Sequence, residues 1–128
     1  MLDVSDGLTK TAMTTRRQRR VADLIHEEIS ILLERKAADP RLAGVTITDV
    51  DVSADLQLAT IYYSVLGEGE EALKMAQAGL EHASSFFRKA LAESLSLRFV
   101  PHLRFRFDRS LAQGQRIEQL LSSLREDE

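Results

Sequence analysis

A chain of 128 residues with 17 basic and 20 acidic side chains (net charge −3) has the length of one domain, and its 44% hydrophobic content suffices for a core of its own. The absence of cysteine removes disulfides, thiol catalysis, cysteine-based zinc sites and a secreted disulfide scaffold. No apolar run nears the ~20 residues that span a bilayer, and the first residues, with Asp3 and Asp6, lack a signal-peptide stretch, so a cytoplasmic protein is expected.

Residues 1–15 are small and polar, without periodicity. They read as a disordered arm, a cloning remnant or an over-long start, with Met13 as a candidate initiator. Thr15 can cap a helix over about 16–37, whose Val21, Leu24, Ile25, Ile29, Leu32 and Leu33 form one apolar stripe. Glu28 falls near that stripe and reads as a rim carboxylate that bends outward or pairs with a base. Pro40 stops the helix, and Asp39-Pro40-Arg41-Leu42-Ala43-Gly44 reads as a turn. Residues 45–53 alternate and are β-branched, so they read as a strand. Its apolar phase slips between Ile47 and Val50, the mark of a bulge or bend. A second strand over 57–66 follows after a connection short enough to imply an antiparallel hairpin.

Helical spacing resumes at Glu70, with Leu73, Ala76, Leu80 and Ala83 on one face. It continues over 86–97 with Phe87, Ala90, Leu91 and Leu95. An unbroken helix of that length would run about 42 Å, too long for this domain, and the serine pair Ser84-Ser85 is a place to break it. Two helices joined by a tight turn near 83–85 are predicted. Leu103, Phe105 and Phe107 then alternate with Arg104 and Arg106 in a third strand. Ser110 can cap a last helix with the stripe Ile117, Leu120, Leu121 and Leu124. The order is α-β-β-α-α-β-α. A three-stranded sheet with helices on one face buries these stripes and leaves Arg104 and Arg106 on the open face.

The acidic total hides segregation. Residues 10–20 carry +5 and residues 82–116 carry +5, whereas residues 42–81 carry −6. Local blocks of this kind can build a polyanion-binding face on an acidic protein. Six of the seven bases in 82–116 are arginine, whose planar fork suits phosphate. Solvated charged faces are the plainer explanation of any single block.

Catalytic chemistry finds little support. His26, His82 and His102 lie on three elements, and His26-Glu27-Glu28 lacks the second histidine of a helical zinc motif. Asp49, Asp51 and Asp55 resemble a calcium loop only until its glycine position proves to be Ala54 and its terminal glutamate position Thr60. Ser84-Ser85 lacks the glycine-flanked elbow of a hydrolase serine. No metal and no cofactor is expected. What remains is binding: a helix–turn–helix leading into an arginine-lined strand is a reasonable RNA-binding surface, with helix N-terminal amides for phosphate and Arg88 and Lys89 one turn further on.

The chain also resembles the bacterial ribosome-binding factor A family over roughly residues 16–125. The carrying segments are Arg20-Val21-Ala22, Asp39-Pro40-Arg41-Leu42, Val45-Thr46-Ile47, Ser53-Ala54-Asp55-Leu56, Ala59-Thr60-Ile61-Tyr62-Tyr63, Leu80 to Arg88, Pro101 to Phe105, and Asp108-Arg109-Ser110. The resemblance implies an α+β, type II KH-like domain over 16–125 with an acidic tail at 126–128. It implies a non-enzymatic assembly factor that binds 16S rRNA on the free small (30S) ribosomal subunit. Late maturation, 5′-end processing of the 16S rRNA precursor and growth in the cold are the implied roles. Partners would be the small subunit, 16S rRNA and other assembly factors or GTPases, with no membrane, and the protein would act as a monomer. Where KH domains use a Gly-X-X-Gly loop, the family has an Ala-X-Gly kink, matched here by Ala83, Ser84 and Ser85. Serine in place of that glycine puts the kink in question. The expected RNA contacts are Arg16, Arg17, Arg19 and Arg20, the junction Ala83, Ser84 and Ser85, and the block Arg88, Lys89, Arg98, Arg104, Arg106 and Arg109. They would recognise folded rRNA by shape and phosphate rather than by base. A protein-interaction adaptor without RNA contact is the alternative.

Overall fold

The computed structural model describes residues 14–36, 38–67, 69–95 and 97–109. Six elements follow in chain order: α1 (Arg16–Arg35), β1 (Val45–Val52), β2 (Leu58–Val65), α2 (Glu70–His82), α3 (Ser84–Leu95) and β3 (His102–Phe107). The predicted last helix and the residues before Thr14 lie outside the described residues.

Helix α1 starts where the sequence places its cap. Gln18 N–H donates to Thr15 Oγ1 at 3.1 Å, and Thr15 N–H donates to Gln18 Oε1 at 2.9 Å, a reciprocal capping box. Gln18 is itself buried and donates from Nε2 to the Val52 carbonyl at 2.9 Å, which ties the start of α1 to the end of β1. The helix ends at Arg35, short of the expected 37, so Pro40 is not what stops it. Lys36 closes it, its N–H shared between the Leu32 and Leu33 carbonyls. Ile25, Ile29, Leu32 and Leu33 are buried as the stripe requires.

The sheet has the order β1-β2-β3, with β1 antiparallel and β3 parallel to β2. The bulge lies where the apolar phase slips: Ile47 pairs with Tyr63 and Asp49 with Tyr62, which leaves Thr48 as the extra residue. It restores Val50 and Val52 to the buried face. That face, with Ala59, Ile61, Tyr63 and Phe105, joins Ile25, Ile29, Leu80, Phe87 and Leu91 in one core. The helices share one side of the sheet, in the KH-like order expected from the resemblance.

The junction of α2 and α3 is tighter than predicted. Ala83 alone interrupts the helix, at φ −85° and ψ 0°, and α3 resumes at Ser84. Ala83 N–H still reaches the Gly79 carbonyl at 3.0 Å, and Phe87 N–H reaches the Ala83 carbonyl at 3.0 Å. Among the described non-glycine residues only Leu56 has a positive φ. Ser85 therefore sits in ordinary helical backbone, and the bend does not need glycine there. Helix α3 returns along α1: Ser94 Oγ donates to Glu28 Oε1 at 3.0 Å, and Lys36 Nζ lies 4.3 Å from the Phe86 ring centre. Glu28 thus bends to a hydroxyl, not to a base.

Candidate nucleic-acid interface

Strand β3 sets out the arginines. Phe105 is buried in the core while Arg104 and Arg106, one residue to either side, are exposed, as strand alternation demands. Arg104 leans across the open face and donates from Nη2 to Thr60 Oγ1 at 3.0 Å, covering a hydroxyl that is otherwise buried. Tyr62 stands beside Arg106 in the parallel register.

The free edge of β3 is closed by one side chain of α2. Gln77 accepts from the Tyr63 hydroxyl and donates from Nε2 to the Phe105 carbonyl at 3.0 Å and to Glu81 Oε1 at 2.8 Å. Burial, with the Glu81 charge second, pushes the Tyr63 hydroxyl above its ordinary range. Along this edge two open depressions of about 680 and 280 Å³ share Gln77, Arg104 and Phe105. Together they run from Ser84 at the helix junction to Arg109. Nothing in this furrow resembles catalytic chemistry, and no cluster of three or more metal-ligating side chains occurs among the described residues. No helix among them is long and apolar enough to cross a membrane. The cleft of about 520 Å³ that adjoins this furrow at Phe107 and Asp108, lined also by Leu66, Leu73 and Glu70, has no basic residue and suits no polyanion.

The arginines of the first turns of α1 and Arg98 gather toward the start of β3. Arg16, Arg17, Arg19 and Arg20 are all exposed on the first turns of α1. The Gln18–Val52 bond holds them beside the end of β1, and Val52 pairs with Ala59, which pairs with Leu103. The start of β3, with exposed His102 and Arg104, is thus two strand spacings away, about 10 Å. Exposed Arg98 lies four residues before His102 in the α3–β3 connection. Among the described residues none of the four α1 arginines has a side-chain hydrogen bond or ion-pair partner. The acids in this neighbourhood are partly occupied: Asp55 accepts from Ser53 Oγ at 2.6 Å and Gln57 N–H at 3.1 Å. Those bonds hold its carboxyl below the usual range.

Not every expected contact is placed for RNA. Arg88 is half-buried, and its Nη2 donates to the Val100 carbonyl at 3.2 Å while its Nε is buried without a partner. It pins the α3–β3 connection to α3. Ala83 is buried in the core, so at the junction only half-buried Ser84 and exposed Ser85 face outward. Phe87 N–H is taken by Ala83, which narrows the set of free amides at the start of α3. Lys89, Arg98, Arg106 and Arg109 are exposed. Sequence reasoning missed Gln18 and Gln77. Both are amides whose partners are strand carbonyls far along the chain, and neither carries a local signal beyond the Thr15-X-X-Gln18 spacing.

With this geometry in view, the relatives are informative. A family model described as ribosome-binding factor A matches residues 17–121. The chain belongs to the ribosome-binding factor A family. The ribosome-binding factor A of Geobacter metallireducens is 45% identical over 113 residues, 88% of this chain and 95% of that protein. That of Pediococcus pentosaceus is 45% identical over 111 residues, 87% and 96% of the two chains. Among solved structures, a Thermotoga maritima protein described as a putative ribosome-binding factor A superposes with a TM-score of 0.61 at 32% identity, covering 71% of this chain and 86% of that one. A Thermus thermophilus ribosome-binding factor A, fitted as a homology model into a cryo-EM map of its 30S complex, gives 0.51 at 26% identity, covering 67% and 93%.

Proposed function

We propose that this protein is a ribosome assembly factor that binds 16S rRNA on the free small ribosomal subunit and promotes its late maturation, including processing of the 5′ end of the rRNA precursor. It performs no catalysis of its own and works in the cytoplasm as a monomer. The observation that carries this reading is the convergence of the α1 arginines with Arg98 and Arg104 at one end of the sheet, with Arg106 further along β3, in a family with a member fitted on the 30S subunit. Arg16, Arg17, Arg19 and Arg20 and the exposed bases Lys89, Arg98, Arg104, Arg106 and Arg109 neutralise phosphates. Ser84 and Ser85 add side-chain hydroxyls at the end of the β3 furrow. Such a surface positions itself on folded RNA through phosphate and shape and can hold local rRNA helices in a permissive arrangement. Residues 16–125 form the RNA-binding unit, residues 1–15 an arm and residues 126–128 an acidic tail.

The test is co-sedimentation of the full chain with cell extracts on sucrose gradients. The expected result is migration with free small subunits and not with assembled ribosomes, abolished by RNase. Capture of the same partners after complete RNase digestion would point instead to a protein-interaction adaptor. Depletion of the protein is expected to leave 16S rRNA with an unprocessed 5′ end, most strongly in the cold.

A further inference from the structure

We infer that Phe99 is a stacking platform for one unpaired base, which adds a base contact to a surface otherwise made for phosphates. The inference rests on the RNA-binding reading above. Phe87 and Phe105 are buried in the core, Phe107 packs against it, and Phe86, although 41% exposed, lies beside Lys36. Phe99 is 54% exposed, and among the described residues its ring has no aromatic or cation partner.

The backbone that carries it is fixed on its C-terminal side. Arg88 holds the Val100 carbonyl at 3.2 Å, Pro101 is fully buried, and His102 N–H donates to the Gln57 carbonyl at 2.9 Å. A ring presented on a pinned segment loses little further freedom when a partner settles on it. Arg98 directly precedes it and is exposed. An apolar face beside a guanidinium is the pairing that single-stranded nucleic acid takes up: the base stacks while the cation meets its phosphate. A single exposed ring with Arg98 as its chain neighbour is a poor match for an apolar protein partner, which would ask for a contiguous apolar patch.

The chain has no tryptophan, so Phe99→Trp supplies a single reporter at this position. Wild type, F99W, F99Y and F99L, each with its fold checked by circular dichroism, are titrated with free small ribosomal subunits at one salt concentration. Stacking predicts that F99W and F99Y bind like wild type, that F99W emission, taken as the difference from the same titration of the tryptophan-free wild type, is quenched on binding, and that F99L weakens binding about 5- to 150-fold. The salt dependence of F99L should equal that of wild type, because the phosphate contacts are untouched. F99L binding as tightly as wild type, or F99W emission unchanged in the complex, overturns the stacking assignment while the RNA-binding reading stands. Failure of the wild-type chain to bind subunits at all overturns both.

Discussion

Four arginines within the first five residues of α1 work against their own helix. The N-terminal end of a helix carries the positive pole of its dipole, and each cation there is disfavoured by about 0.3–1 kcal/mol. The first turn has no acid to compensate. Charge placed against local stability, on exposed side chains without a partner among the described residues, is what the proposed phosphate-binding role would require. The double variant R16E/R17E is therefore expected to raise stability in urea by a few tenths to about 1 kcal/mol while it weakens binding to small subunits. Both changes falling together would mean that the arginines serve the fold. At Asp39 the logic is the reverse. Hydrogen bonds from the Arg41 guanidinium (3.2 and 3.4 Å) and backbone N–H (2.9 Å) hold its carboxyl below the ordinary carboxylate value. A depressed carboxylate contributes stability while ionised, above the unfolded value near pH 4, and that contribution fades as the pH falls through the lower folded value. D39N should thus be less stable than wild type at pH 7. In urea melts across pH, the gap should close below about pH 4.

At the scale of elements the paired helices α2 and α3 carry most of what is distinctive. Their break is the single residue Ala83, and Ser85 is helical. S85G is accordingly expected to cost a few tenths to about 1 kcal/mol through helix propensity, read by chemical denaturation. A gain in stability would show that the bend wants glycine after all. Gly79 is different: a Cβ there would stand 2.9 Å from Arg41 Cβ and 3.1 Å from Leu42 Cδ2. The Asp39–Leu42 turn packs directly on the α2 backbone. G79A gains helix propensity yet should lose about 1–3 kcal/mol overall, because the Arg41 Cβ is fixed to its backbone and cannot withdraw without moving the turn.

Most of these elements could be read from the chain because their apolar periods are clean. Val21 to Leu33 marks a helix, Leu103 to Phe107 a strand, and the slip between Ile47 and Val50 located the bulge at Thr48. What escaped was decided at a distance. Arg88 reads as a phosphate ligand from its place in α3, yet its partner is a carbonyl twelve residues on. Glu28 finds Ser94 across sixty-six residues. The end of α1 was set by local hydrogen bonding at Lys36, before Pro40 could act. No periodicity encodes such contacts, and the same holds for the amides Gln18 and Gln77.

For the molecule as a whole, a net charge of −3 conceals a sorted surface. The bases of residues 10–20 and 82–116 are far apart in sequence, and the fold brings Arg16, Arg17, Arg19 and Arg20 toward Arg98 and Arg104 through the Gln18–Val52 bond and the register of β1, β2 and β3, with Arg106 and Arg109 further along β3. The other end of the sheet presents Glu70 and the apolar cleft at Leu66 and Leu73. In the proposed binding mode the α1 arginines, Arg98 and Arg104 lead the approach to RNA, while Asp55 at the same end is held by Ser53 and Gln57. The account stands or falls on whether phosphates provide the binding. The direct measurement is the affinity of the full chain for free small subunits as monovalent salt is raised at fixed magnesium. If about five phosphates are contacted, log K should fall against log salt with a slope of about −3.5 to −4.5. A flat dependence would contradict it.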